Sequence, residues 1–182
     1  GHAKEGGAVF FGNRNTVNIT GGQFIGGYAD GSGGAIRLSG ASSYTKKSFF
    51  NMSGAAVRDG YAATSGGNVY TQYYQVTLEN CYLDSGSTGD FGGNINNGTE
   101  ATVIYTNCLL INGSAKRGGN FYAGATSAYA TITNTSMISG TATTYAGNMN
   151  AGNGYIDIIG GEIIFGTAAT YGGNIANTAG NY

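Results

Sequence analysis

The feature that most constrains this chain is a repeated corner. A Gly-Gly or Ala-Gly pair recurs at Gly6-Gly7, Gly33-Gly34, Gly66-Gly67, Gly92-Gly93, Gly118-Gly119, Ala146-Gly147 and Gly172-Gly173. The spacings are 27, 33, 26, 26, 28 and 26 residues. After each pair comes Ala or Asn: Ala8, Ala35, Asn68, Asn94, Asn120, Asn148 and Asn174. An apolar residue follows: Val9, Ile36, Val69, Ile95, Phe121, Met149 and Ile175. Self-similarity at such a period marks a solenoid, in which one unit buries its apolar row only by stacking on the next.

The remainder of each unit keeps fixed offsets. An alternating segment carries Val17 and Ile19, Phe50 and Met52, Val76 and Leu78, Val103 and Tyr105, Ala130 and Ile132, and Ile156 and Ile158. Two residues on stands Gly or Asn (Gly21, Gly54, Asn80, Asn107, Asn134, Gly160), and three further on an apolar residue (Phe24, Val57, Leu83, Leu110, Met137, Ile163). Three beyond that is always Gly: Gly27, Gly60, Gly86, Gly113, Gly140 and Gly166. Period-two alternation within so short a unit predicts strands, not helices. The expected fold is all-β: a single-stranded parallel β-helix of about 26 residues and three short strands per coil. About 6.5 coils make one domain over residues 1–182, with coils beginning near 6, 33, 66, 92, 118, 146 and 172.

Composition agrees. Gly supplies 35 of 182 residues and Pro none, which excludes collagen and disfavours helix. Hydrophobic residues at 41% and charged residues at 9% exclude intrinsic disorder. The net charge of −1, with no basic tract and no long apolar run, argues against a nucleic-acid partner and an integral membrane segment. The glycine that starts each third turn is expected to take positive φ. The pair before the first strand is expected to allow a tight turn and close packing. Two asparagine ladders are expected, one of Asn80, Asn107 and Asn134, the other of Asn68, Asn94, Asn120, Asn148 and Asn174.

With these residues in view, the pattern resembles the right-handed parallel β-helix, or pectate-lyase-like, superfamily. The segments GGAVFFGN (6–13) and GGAI (33–36) are similar to the repeats of polymorphic outer-membrane and adhesin-type proteins. That resemblance implies a right-handed coil and a cell-surface setting. Later coils depart from it by reading GGN.

Cys81 and Cys108 occupy the same slot in adjacent coils. Stacking at about 4.8 Å falls inside the Cα window for a disulfide. A Cys81–Cys108 bridge is therefore expected, with packed free thiols as the alternative. A bridge would imply an oxidising, extracellular compartment. Five sequons suit that setting. Asn18, Asn51, Asn97 and Asn112 are the candidates for glycosylation; Asn134, in a ladder slot, is disfavoured. Residue 1 falls in the third turn of a coil, and residue 182 where a second strand is due. The expectation is a segment of a longer solenoid or subunits stacked end to end.

Catalysis finds little support. Asp59 and Asp84 come closest to a stacked carboxylate pair, with Arg58 and Arg37 nearby. His2 is the single histidine, so neither a Ser-His-Asp set nor a zinc site is readily assembled. No cofactor is expected. The second coil carries an insertion between Ser39 and Ser48, whose Tyr44, Lys46 and Lys47 could contact another chain, a glycan or an anion. The position after the first strand's apolar residue is expected to point outward: Phe10, Arg37, Tyr70, Asn96, Tyr122, Asn150 and Ala176. The expected function is that of an extracellular structural protein, a surface adhesin segment or head-to-tail filament subunit. Its partners would be copies of itself and other cell-surface proteins or glycans. The alternatives are a polysaccharide-active enzyme or carbohydrate-binding β-helix, and an ice-binding protein, for which a regular threonine row is missing.

Overall fold

The computed structural model describes residues 1–13, 15–41 and 48–178. Every named element among them is a β-strand, and every strand pairing is parallel. The chain winds as a parallel β-solenoid of about 6 turns with about 27 residues per coil. Each strand lies on its counterpart one coil earlier, so hydrogen bonds run along the axis.

The sheets number four, not three per coil as the repeat predicts. The first sheet holds the strands after the glycine pairs, from Val9–Phe11 to Ile175–Ala176, seven in all. The second holds the longest strands, six of them from Thr16–Thr20 to Tyr155–Ile159. The third runs in six strands from Gln23–Ile25 to Ile163–Ile164. The fourth is made of the short stretches after Gly27 and its equivalents, such as Tyr28–Ala29 and Tyr61–Ala62. With only one inward residue per strand, this fourth sheet has no run of alternation in the sequence to reveal it.

Register is exact to the residue where the offsets are constant. Val17, Phe50, Val76, Val103, Ala130 and Ile156 form one inward column; Ile19, Met52, Leu78, Tyr105, Ile132 and Ile158 form the next. Phe24, Val57, Leu83, Leu110, Met137 and Ile163 line the third sheet. The middle members of these columns and of the first-sheet column, from Ile36 to Met149, make one continuous core, while Ile158 and Ile175 of the last coil are exposed. Period-two strands put alternate residues inward, and the stack supplies each apolar side chain with neighbours above and below.

The glycines divide into two kinds, and the expected positive φ falls on the other kind. The first member of each pair takes it, from Gly6 (φ 63) to Gly172 (φ 60), and Ala146 does so at φ 57. Gly27, Gly60, Gly86, Gly113, Gly140 and Gly166 do not. The residue before each of them does: Gly26, Asp59, Ser85, Asn112, Ser139 and Phe165. At Gly113 the reason for glycine is space. A Cβ there would overlap the carbonyl oxygen of Gly119 and crowd the side-chain oxygen of Asn120.

Candidate functional site

The interior feature with the most developed geometry is a column of amides. Asn68 Nδ2 donates to Asn94 Oδ1 at 2.7 Å, Asn94 to Asn120 at 2.7 Å, Asn120 to Asn148 at 2.7 Å, and Asn148 to Asn174 at 2.9 Å. Each Oδ1 also accepts the backbone N–H of a corner glycine: Gly60, Gly86, Gly113, Gly140 or Gly166, at 2.7–3.0 Å. The second Nδ2 proton of Asn68, Asn94, Asn120 and Asn148 goes to a carbonyl at the end of a third-sheet strand, as from Asn120 to Ile138 O at 3.0 Å. Asn68, Asn94, Asn120 and Asn148 are fully buried, and their amide groups are satisfied on every side. Burying an amide is tolerable only on those terms. This column is the second of the two expected ladders.

The first expected ladder does not form. Asn80, Asn107 and Asn134 take positive φ (52°, 52° and 46°). Their side chains, however, are exposed, and among the described residues no hydrogen bond joins them. What repeats there is the backbone: Asn80 N–H reaches Thr106 O at 2.9 Å and Asn107 N–H reaches Thr133 O at 3.0 Å. A left-handed turn points the side chain away from the axis, into water.

The cysteines are free thiols, not a disulfide. They do stack, because Tyr82 pairs with Leu109 on the next coil. Both are buried, and each thiol donates to a backbone carbonyl: Cys81 to Met52 O at 3.3 Å, Cys108 to Leu78 O at 3.4 Å. In-register parallel strands hold Cβ atoms about as far apart as the strands, ~4.8 Å, beyond the ~3.5–4.5 Å a disulfide needs. The proximity of the two thiols lowers the Cys81 pKa, against burial, and with burial raises that of Cys108.

The outward positions sort the remaining candidates. Asn18 and Asn51 are exposed register partners, and Asn51 Nδ2 donates to Asn18 Oδ1 at 2.9 Å. Asn112 is exposed and donates to Asp84 Oδ1 at 3.0 Å. Asn97 is fully buried, and its Nδ2 donates to Tyr129 O at 3.1 Å. The folded chain therefore offers no glycan acceptor at Asn97, because the first strand turns that side chain inward. Asn96 and Asn150, expected outward, are 5% and 0% exposed. Tyr70 and Tyr122 flank Asn96 in register, and with Phe91 they wall a shallow cleft of about 260 Å³ over it. Tyr44, Lys46 and Lys47 lie outside the described residues.

Asp84 and Asp59 lie side by side at the end of the third sheet, with the Asp59 N–H donating to Asp84 O at 3.1 Å. Burial pushes the Asp84 carboxyl up. Hydrogen bonds from Ser85, Asn112 and Tyr82, with Arg58 nearby, outweigh it and hold the group below its usual value. A carboxylate so held is a poor general acid. Arg37 pairs with Glu5 at 3.1 Å and lies 4.6 Å from the Tyr70 ring centre, so it serves neither aspartate. Among the described residues, no group of three or more His, Cys, Asp or Glu side chains is placed to hold a metal ion. No helix among them is long and apolar enough to cross a membrane.

The fold and its internal amide column define a parallel β-solenoid with an asparagine ladder. No protein-family profile, curated protein or solved structure matches the chain.

Proposed function

We propose that the protein is an extracellular structural protein, a rigid β-solenoid that serves as a surface adhesin segment. The observation that carries this reading is the axial bonding: four parallel sheets join coil to coil, and the buried amide column adds a further line of hydrogen bonds from Asn68 to Asn174. A solenoid bonded along its axis resists bending and presents fixed faces. Those faces carry few charges and many Asn, Thr and Tyr residues, which suits contact with proteins and sugars. The resemblance of residues 6–13 and 33–36 to adhesin-type repeats supports the cell-surface setting. A polysaccharide-active enzyme would need a protonated carboxyl beside an ionised one, and the hydrogen bonds on Asp84 work against that. Two experiments test the reading. Small-angle scattering of the purified chain is expected to fit one rigid stack of about 6 turns, roughly 30 Å along its axis at ~4.8 Å per coil. Antibodies are expected to label intact source cells. A flexible or unfolded particle, or labelling only after permeabilisation, would overturn it.

A filament of stacked copies is a second reading, favoured by the match of the two outer coils. Val17, Ile19 and Phe24 of one copy occupy the same columns as Ile156, Ile158 and Ile163 of the next. The stack would place Asp157 on Asn18 and Glu162 on Gln23, with no like charges opposed. Fibres seen by electron microscopy should disappear in Ile158→Lys without loss of β-structure by circular dichroism. Fibres that survive the substitution would sink this arrangement.

A further inference from the structure

Repetition places exposed tyrosines directly above one another. Tyr129 and Tyr155 are register partners whose ring centroids lie 5.0 Å apart, with planes inclined by 9°. They are 51% and 61% exposed. Tyr28 and Tyr61 repeat the arrangement at 4.9 Å and 23°, again exposed. We infer that these two pairs are sites of oxidative tyrosine cross-linking, which joins neighbouring coils through a carbon–carbon bond between the rings.

The chemistry needs a one-electron oxidant of the peroxidase class, with hydrogen peroxide as the terminal acceptor. Each phenol loses one electron and its hydroxyl proton, giving two phenoxyl radicals. Their ortho carbons form the new bond. The hydrogens displaced from those carbons move to the oxygens, restoring two phenols. Two hydrogen atoms leave in total and reduce one hydrogen peroxide to two waters.

Four observations make these pairs the preferred sites. Coupling is a two-body step, and the stack holds the second ring at contact distance, which raises its effective concentration. Both rings of each pair are open to solvent, so the proton has somewhere to go and the rings have room to swing from stacked to edge-joined. The chain contains no Trp to which the radical could drain. Both thiols are buried, so neither lies at the surface to quench it. The geometry also ranks the other tyrosines. Tyr74 and Tyr105 are buried and should stay unmodified. Tyr145 and Tyr171 stack at 5.6 Å, but the Arg117 guanidinium lies 5.3 Å from the Tyr145 ring centre, and its charge opposes electron loss. The cross-link relies on the extracellular reading only for the source of its natural oxidant. The reaction in vitro stands or falls without it.

The test treats the dilute purified chain with a haem peroxidase and hydrogen peroxide. Dityrosine fluorescence is followed, and peptides are mapped by mass spectrometry. The expected product is monomeric, lacks two hydrogens per bridge, and links Tyr129 to Tyr155 and Tyr28 to Tyr61. The yield of these bridges should exceed that in urea-unfolded chain by roughly tenfold or more. Tyr155→Phe keeps the stacked ring but lacks the phenol, and should abolish the first bridge while leaving the second. Bridges chiefly between molecules, equal yields in folded and unfolded chain, or cross-links spread over unstacked tyrosines would overturn the inference.

Discussion

Asn120 shows how much one side chain does here. Its amide accepts from Asn94 and Gly113 and donates to Asn148 and Ile138. Asn120→Ala would leave the Gly113 N–H and an Asn94 proton buried without partners, while the Ile138 carbonyl keeps the Asn112 N–H. At ~1–3 kcal/mol for each such group, the loss should reach about 3 kcal/mol or more. Asn80 is the control: it is exposed and in the left-handed region, so Asn80→Gly should change stability by no more than about 0.5 kcal/mol. Urea denaturation of both variants checks the contrast. Equal effects would mean that the buried column contributes nothing beyond turn conformation.

At the scale of the element, the corner before the fourth sheet separates two demands that the sequence runs together. Ser139 carries the positive φ (54°), and Gly140 supplies the space, since a Cβ there would overlap the Gly147 carbonyl oxygen. Ser139→Gly should therefore be neutral or stabilising by up to about 1 kcal/mol, while Gly140→Ala should cost at least about 2 kcal/mol. Thermal unfolding of the two variants decides it, and the reverse order would refute the assignment. The same corner shows what could be read beforehand. The columns from Val17 to Ile156 and from Phe24 to Ile163 were legible, because apolar alternation and constant offsets dictate register. The column Asn68–Asn174 was legible for the same reason. The split of the third segment into two sheets was not: the bend is set by one left-handed residue of varying identity, Asp59, Ser85 or Phe165, with no shared side-chain signal. Nor could spacing tell the buried Asn97 from the exposed Asn112, since both fit the same sequon; Asn97 ends a first-sheet strand with its side chain inward, whereas Asn112 is the left-handed corner residue before Gly113.

For the molecule as a whole, the acids that burial holds neutral are phenols, in the core at Tyr74 and Tyr105 and on the walls of the surface cleft at Tyr70 and Tyr122. Burial raises the pKa of Tyr70, Tyr74 and Tyr122, and that of Tyr105 well above the ordinary value. In each the folded state favours the neutral form more than the unfolded chain does. Stability should then be constant below the unfolded value of about 10 and fall as pH rises past it. Tyr105 is fully buried, and its hydroxyl finds no partner among the described residues. Tyr105→Phe should shallow the alkaline decline and add about 1 kcal/mol at neutral pH by deleting a buried unpaired hydroxyl. Urea titrations at neutral and alkaline pH measure both effects; an unchanged alkaline slope would show that Tyr105 is hydrated in the folded protein.

The asparagine column carries one more consequence. Every amide in it points the same way, with Nδ2 toward the higher-numbered coil and Oδ1 toward the lower. Aligned amide dipoles add, as peptide dipoles of about 3.5 D do along a helix. The solenoid is therefore a vector. One end of its axis is electropositive and the other electronegative, although the net charge is only −1. Neighbours packed side by side are favoured head against tail, whereas anything that lengthens the column must face the same direction as the chain beneath it.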